Sequence, residues 1–349
     1  DMDRALYRER ELTEPLPWDM LDMQLAEGYL ATEWQRSLTE TYTAPCQAGC
    51  RRCGVCNETG VIMARQNRTV IREGGGFPGR PFEFEADATL TGFPLMHGVT
   101  RRFGGVSKKP FDSFNLGLHV GDDIEAVWEN RRRLAKHLRV GPELLTCAQQ
   151  VHGTEISEVT EANVGAGAFQ MDKAIPNSDA IFTCLEEVPL LLLVADCVPV
   201  LVYDPNHHAV AVIHAGWRGT IGHVPILTME AMGNAYGTRP QDCHVYLGPS
   251  IHYNSFEVSE ELAETFRKAS YIPDQIVGYR YRADKGIQTP HVNLQQFIVQ
   301  DLRQIGVPLQ QITVSPTDSM TAPGCYSYRR EFGKTGRMAL FAMLRKQKK

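Results

Sequence analysis

The sequence lacks an apolar run long enough to cross a bilayer. Its longest, Val188–Tyr203, is broken by Asp196, and a spanning helix needs about 20 consecutive apolar residues. It lacks an excess of positive charge: 36 Lys and Arg face 41 Asp and Glu, a net charge of −5. Non-specific nucleic-acid binding leans on clustered positive charge, so neither a nucleic-acid nor a membrane partner is expected. It lacks an even cysteine set. Nine cysteines argue against a disulfide framework and suit a reducing cytoplasm. No signal peptide is expected, because Asp1, Asp3, Arg4, Arg8 and Arg10 crowd the start of the sequence. Internal repeats, a P-loop pattern and any His-x-His pair are also missing.

What is present reads as globular: 43% apolar and 22% charged residues exclude a wholly disordered or collagen-like chain. A length of 349 residues fits one large domain with an appendage. Residues 1–60 read as a helical, Cys-rich appendage that ends on Cys46-x3-Cys50-x2-Cys53-x2-Cys56. That spacing is metal-like but matches no standard zinc pattern, and a functionally silent tail explains it equally well. Residues 61–84, with Gly74-Gly75-Gly76 and Pro78-Gly79, read as a linker. The catalytic part is expected over 85–349.

There the pattern changes to short apolar strands and amphipathic helices. Asp122 or Asp123 is placed to cap a helix starting at Ile124. Leu190–Val194, Val198–Tyr203, Ala209–Ile213 and Val245–Leu247 read as strands. Helices are expected at 225–235, 257–268 and 292–305. The order gives an α/β class with mixed sheets, without the regular alternation of a doubly wound fold.

Three stretches carry candidate chemistry: Gln150-Val151-His152-Gly153, Ala195-Asp196-Cys197-Val198, and His214-Ala215-Gly216-Trp217-Arg218-Gly219. His152, Cys197 and His214 all fall at strand ends beside loops. Two imidazoles and a thiolate make a three-ligand zinc set with an open fourth position. The same donors suit copper. Single buried Cys or His residues are more often structural; three together at strand ends raise the functional reading. Asp196 inside an apolar strand pair is costly unless partnered, which marks it as a further catalytic candidate. The loops HGVTRRFGGVS (97–107) and FNLGLHVGDD (114–123), and the segment YSYRRE (326–331), can hold an anion through backbone N–H groups and guanidiniums. They supply Arg102 beside Arg218 as phosphate candidates. Asn115, His119 and Arg330 are substrate-binding candidates.

Together with ADCVPVLVYDP, IHAGWRGT, LGPSI and GRM, these motifs resemble the YfiH family, also called the laccase-domain or multicopper polyphenol oxidoreductase family. The resemblance covers about His97 to Leu344. It implies a compact α/β/β/α domain with mixed sheets, and purine nucleoside phosphorylase activity on adenosine, inosine and S-methyl-5′-thioadenosine, with adenosine deamination. It implies a catalytic Zn2+ on His152, Cys197 and His214, with Cu2+ as the oxidase metal. Nucleoside and phosphate are then the small-molecule partners. Pro225, soon after the GWRGT turn, departs from the family and is harmless only in a first helical turn. Residues 1–56 resemble the C-terminal tail of a radical S-adenosylmethionine protein, without its catalytic core. Three rivals stand beside the phosphorylase. One is a copper-dependent phenol oxidase. Another is a cysteine hydrolase with Cys197 as nucleophile and His152 or His214 as base. The third is an interaction module with a structural metal.

Overall fold

The computed structural model describes residues 68–74, 81–282 and 286–347. The expected appendage at 1–60, with its four-cysteine cluster, lies outside them. The strands are β1 (Thr69–Gly74), β2 (Phe82–Asp87), β3 (Leu95–Thr100), β4 (Thr146–Cys147), β5 (Ile156–Glu158), β6 (Ala180–Thr183), β7 (Leu190–Val194), β8 (Val198–Asp204), β9 (Ala209–Ala215), β10 (His244–Leu247), β11 (Val277–Arg282), β12 (Ile287–Val292), β13 (Ile312–Val314) and β14 (Met338–Leu344). The helices are α1 (Ile124–Leu138), α2 (Trp217–Ile221), α3 (Val224–Tyr236), α4 (Glu260–Ala269), α5 (Pro273–Ile276) and α6 (Leu294–Gln304).

Two six-stranded sheets form, in the orders β1-β2-β3-β14-β7-β4 and β13-β10-β8-β9-β6-β5, with β11-β12 as a separate hairpin. Both large sheets are mixed: β4 runs parallel to β7, β5 to β6 and β13 to β10, among antiparallel neighbours. Period-two alternation explains the layering. Leu190, Leu192 and Val194 of β7 pack between the sheets with Leu340, Ala342 and Leu344 of β14 and with Val210 and Val212 of β9. Leu191, Leu193, Phe341 and Met343 point the other way, onto Leu134 and Leu138 of α1. Helix α3 covers the outer face of the second sheet, against β9 and β6. The result is the expected α/β/β/α arrangement.

Asp123 is the cap of α1, its carboxylate accepting the Glu125 N–H at 3.1 Å. Pro225 stands in the first turn of α3, where its missing N–H costs nothing. The expected linker at 61–84 needs correction. It supplies β1 and the start of β2, paired antiparallel from Thr69↔Asp87 to Gly74↔Phe82. The glycine there is not a breaker. A Cβ on Gly74 would stand 2.2 Å from the Phe82 ring, so the strand needs glycine for close approach. No helix among the described residues is long and apolar enough to cross a membrane.

Candidate active site

The site sits at one end of the sandwich, where strand alternation delivers two donors. His214 shares the face of Val210 and Val212 on β9. Cys197 shares the face of Leu201 and Tyr203, just before β8. The β8–β9 register ends at Val198↔Ala215, which sets Cys197 against Gly216. A Cβ at Gly216 would lie 3.2 Å from Cys197 Sγ and 3.3 Å from His152 Cδ2. Glycine therefore leaves the space the three side chains share. His152 comes from the loop after β4, with φ at 61°. The donor atoms of His152, Cys197 and His214 all lie within 4.8 Å of one another. A tetrahedral zinc site with ordinary Zn–N and Zn–S bonds sets its donors roughly 3.3–3.6 Å apart. The donor set and its spacing fit such an ion after a small contraction.

One residue that sequence reasoning missed organises this cluster. Asp179, fully buried just before β6, accepts from His214 Nδ1 at 2.8 Å. It also accepts the backbone N–H groups of Val151, His152 and Gly153 at 3.1, 3.0 and 2.6 Å. Burial alone would raise its carboxyl; the His214 ring and the Gly153 and Val151 N–H groups outweigh burial and hold it below the ordinary value. With Nδ1–H engaged, His214 presents Nε2 as its donor. Burial would also raise the Cys197 thiol, but His214 and His152 bring it down to about 6. Burial would lower His214, yet Cys197 and Asp179 push it up to about 9. Both shifts favour a thiolate facing an imidazolium.

These groups floor a cleft of about 660 Å³. Leu193, Ile251, Phe256, Leu294 and Trp217 give it apolar walls. Its arginines outnumber its one carboxylate, Asp196. Arg218, Arg329 and Arg337 line it, and none of them pairs with a carboxylate among the described residues. Arg218 stacks on Trp217 at 4.1 Å. Arg337 donates to the carbonyls of Thr335 and Gly336 at 2.8 and 3.0 Å. Asp196 lines the cleft, but its carboxylate accepts from Ser319 Oγ at 2.6 Å and from the Arg329 N–H at 2.7 Å. It ties the Cys197 turn to the arginine segment. His119 lines the cleft with no charge: desolvation against the wall, then Arg337, Arg131 and His152, lower it to about 4.

Three other expected site residues do not line the cleft. Arg102 is held by Glu331 at 2.6 Å, donates to the Asp112 carbonyl at 2.9 Å and lies over the Tyr326 ring. Arg330 donates to the carbonyls of Ser319, Met320 and Ala322 at 3.0–3.2 Å, which stitches that loop together. Asn115 accepts the Arg337 N–H at 2.8 Å and donates to Asp122 at 2.9 Å; it positions the arginine behind the cleft wall. Arg329 and Arg337 replace Arg102 and Arg330 at the cleft. Both stand in motifs already noted, but spacing does not tell which arginine of a pair turns inward.

A profile of the family described as multi-copper polyphenol oxidoreductase laccase matches residues 96–345. The purine nucleoside phosphorylase YlmD of Bacillus subtilis is 33% identical over 248 residues, covering 71% of this chain and 87% of that relative. The YlmD of Geobacillus stearothermophilus, also named a purine nucleoside phosphorylase, is 35% identical over 247 residues, covering 70% and 88%. The crystal structure of that YlmD superposes with a TM-score of 0.70 at 32% identity, over 79% of this chain and 100% of the other. The Bacillus licheniformis hypothetical protein YfiH gives a TM-score of 0.70 at 30% identity, over 75% and 96%.

Proposed function

Since the chain belongs to the multi-copper polyphenol oxidoreductase laccase family, we propose that it is a purine nucleoside phosphorylase with a zinc site that also deaminates adenosine. Its nucleosides are adenosine, inosine and S-methyl-5′-thioadenosine. One observation carries the reading: a His2Cys donor set opens into a cleft whose cationic lining is three arginines without carboxylate partners. Phosphate and a purine nucleoside fit together there; a phenol needs no such cradle.

Inorganic phosphate attacks ribose C1′, the bond from C1′ to the purine nitrogen breaks, and the purine leaves with the electron pair and takes a proton. Arg218 and Arg337 hold the phosphate and offset its charge, and Arg329 stands where the cleft meets the adjoining groove. Trp217, Phe256 and the aliphatic wall bury the base and exclude water. His119, held neutral, hydrogen-bonds the purine edge without adding positive charge. Asp196 keeps the Arg329 backbone in register with the Cys197 turn. His152, Cys197 and His214 would hold Zn2+, which supplies a Lewis acid for the purine and for the water used in deamination. Incubation with adenosine and phosphate, with mass detection of adenine, inosine, hypoxanthine and ribose 1-phosphate, tests this. No product of any kind refutes it. Metal analysis of protein purified without added copper, beside assays on inosine and a phenol, separates it from the oxidase reading.

A second reading has its own observation. Cys197, His214 and Asp179 form a thiolate–imidazolium–carboxylate series, the arrangement of a cysteine hydrolase. An acyl-enzyme trapped on Cys197 in metal-free protein would favour it over phosphorolysis.

A further inference from the structure

A second groove, of about 910 Å³, continues from the cleft. The two share Trp217, Phe256 and Arg329 as a common wall. Strand β11 also lines it, through Arg280, Tyr281 and Arg282. Arg282 is paired with Glu257. Arg280 donates to the Asn254 carbonyl at 2.8 Å. Arg329 donates to the Glu257 carbonyl at 2.9 Å. Neither Arg280 nor Arg329 pairs with a carboxylate among the described residues. Tyr281 stands beside them, 68% exposed. His291 also lines the groove; burial lowers its pKa, so it adds no fixed charge. The groove therefore holds two guanidiniums without carboxylate partners among the described residues, Arg280 and Arg329, beside the Arg282–Glu257 pair. The cleft alone is already of ligand size, since such pockets run to about 300–1,000 Å³. A nucleoside and inorganic phosphate leave the groove unfilled.

We propose that this groove is a subsite for a phosphate-bearing extension on the nucleoside, a 5′-phosphate held between Arg280 and Arg329. The proposal rests on the reading above, in which the cleft takes the nucleoside. A guanidinium offers a phosphate two parallel N–H donors, and a second guanidinium lining the same groove adds to the attraction. The shared Arg329 gives the extension a path out of the cleft. The aromatic wall of Trp217 and Phe256 accompanies it.

Calorimetric titration of the full chain with inosine and with inosine 5′-monophosphate, at low salt, tests the subsite. The monophosphate is expected to bind about ten-fold tighter than inosine. Arg280→Glu should bring that ratio to one or below. Lys268→Glu makes the same charge change on α4, outside the groove, and should leave the ratio as it is. Equal binding of the two ligands to the unaltered protein overturns the proposal, and that arm needs no variant to fold. So does a ratio that both substitutions shift alike. Phosphorolysis of inosine is followed in parallel. If inosine is cleaved but the ratio is one, the subsite fails and the activity stands. If the ratio holds but inosine is not cleaved, the activity fails and the subsite stands.

Discussion

Asp179 Oδ1 lies 2.8 Å from His214 Nδ1 and also accepts the His152 N–H at 3.0 Å. One buried carboxylate thus orients one imidazole and fixes the loop that carries the other. Losing its charge should loosen both. Asp179→Asn is expected to lower zinc affinity by about 10- to 100-fold, the usual cost of losing a ligand's hydrogen-bond partner. Competition against a chromogenic chelator reads this directly. Wild-type affinity in a folded Asn variant would show that Asp179 only packs.

Cys197→Ala removes the one sulfur donor from the cluster. Bound zinc should fall to trace levels after purification, and phosphorylase and deaminase activities should vanish with it. An active variant that holds no zinc would refute the metal assignment. Circular dichroism checks that the fold persists, as expected for a cysteine at the cleft floor rather than in the core.

Arg218 projects from the first turn of α2, stacked on Trp217. Arg218→Ala should raise KM for phosphate about ten-fold, the scale of one charge-assisted hydrogen bond. KM for the nucleoside should change far less. Steady-state kinetics with each substrate varied in turn decides it. Equal rises in both constants would move Arg218 away from the phosphate.

His97 predicts a pH effect on stability rather than on activity. It is 7% exposed, and its Nε2 accepts the Asp87 N–H at 3.1 Å. Burial, then Arg72, lower it from 6.5 to about 4. Between those values the unfolded chain binds a proton that the folded chain does not. Stability therefore falls as pH drops through 6.5, and the loss is complete below the folded value, at about 3 kcal/mol. His97→Gln keeps an acceptor for Asp87 without a titrating group. Denaturant titrations from pH 4 to 7 should show a shallower slope for the variant. Parallel slopes would exclude His97 as the source.

Much of this was legible in the sequence because apolar runs and glycine turns are local signals. Leu190–Val194 and Val198–Asp204 announce themselves, and the donors sit where those runs end. Asp179 was not legible. An aspartate just before a short strand looks like a turn residue, and only the fold shows it fully buried among three N–H groups and an imidazole. Arg102 and Arg330 lie away from the cleft lining for a related reason. Each is satisfied by partners that loops bring to it, Glu331 for Arg102 and a set of carbonyls for Arg330. The strand β1 hid behind a glycine run, and of it Gly74 makes room for the Phe82 ring.

The donors and the cleft lining have different structural parents. His214 and Cys197 continue the inward faces of two core strands, so their placement is set by the alternation that seals the sandwich. Arg329, Arg337 and His119 ride on loops. Exchanging those loops is a route to a different cleft lining that leaves the donor geometry in place. A one-residue slip of β9 would turn His214 to the opposite face while keeping most of the strand's hydrogen bonds. The cleft lining is therefore the adjustable part of this protein, and the donor cluster is bound to its folding register.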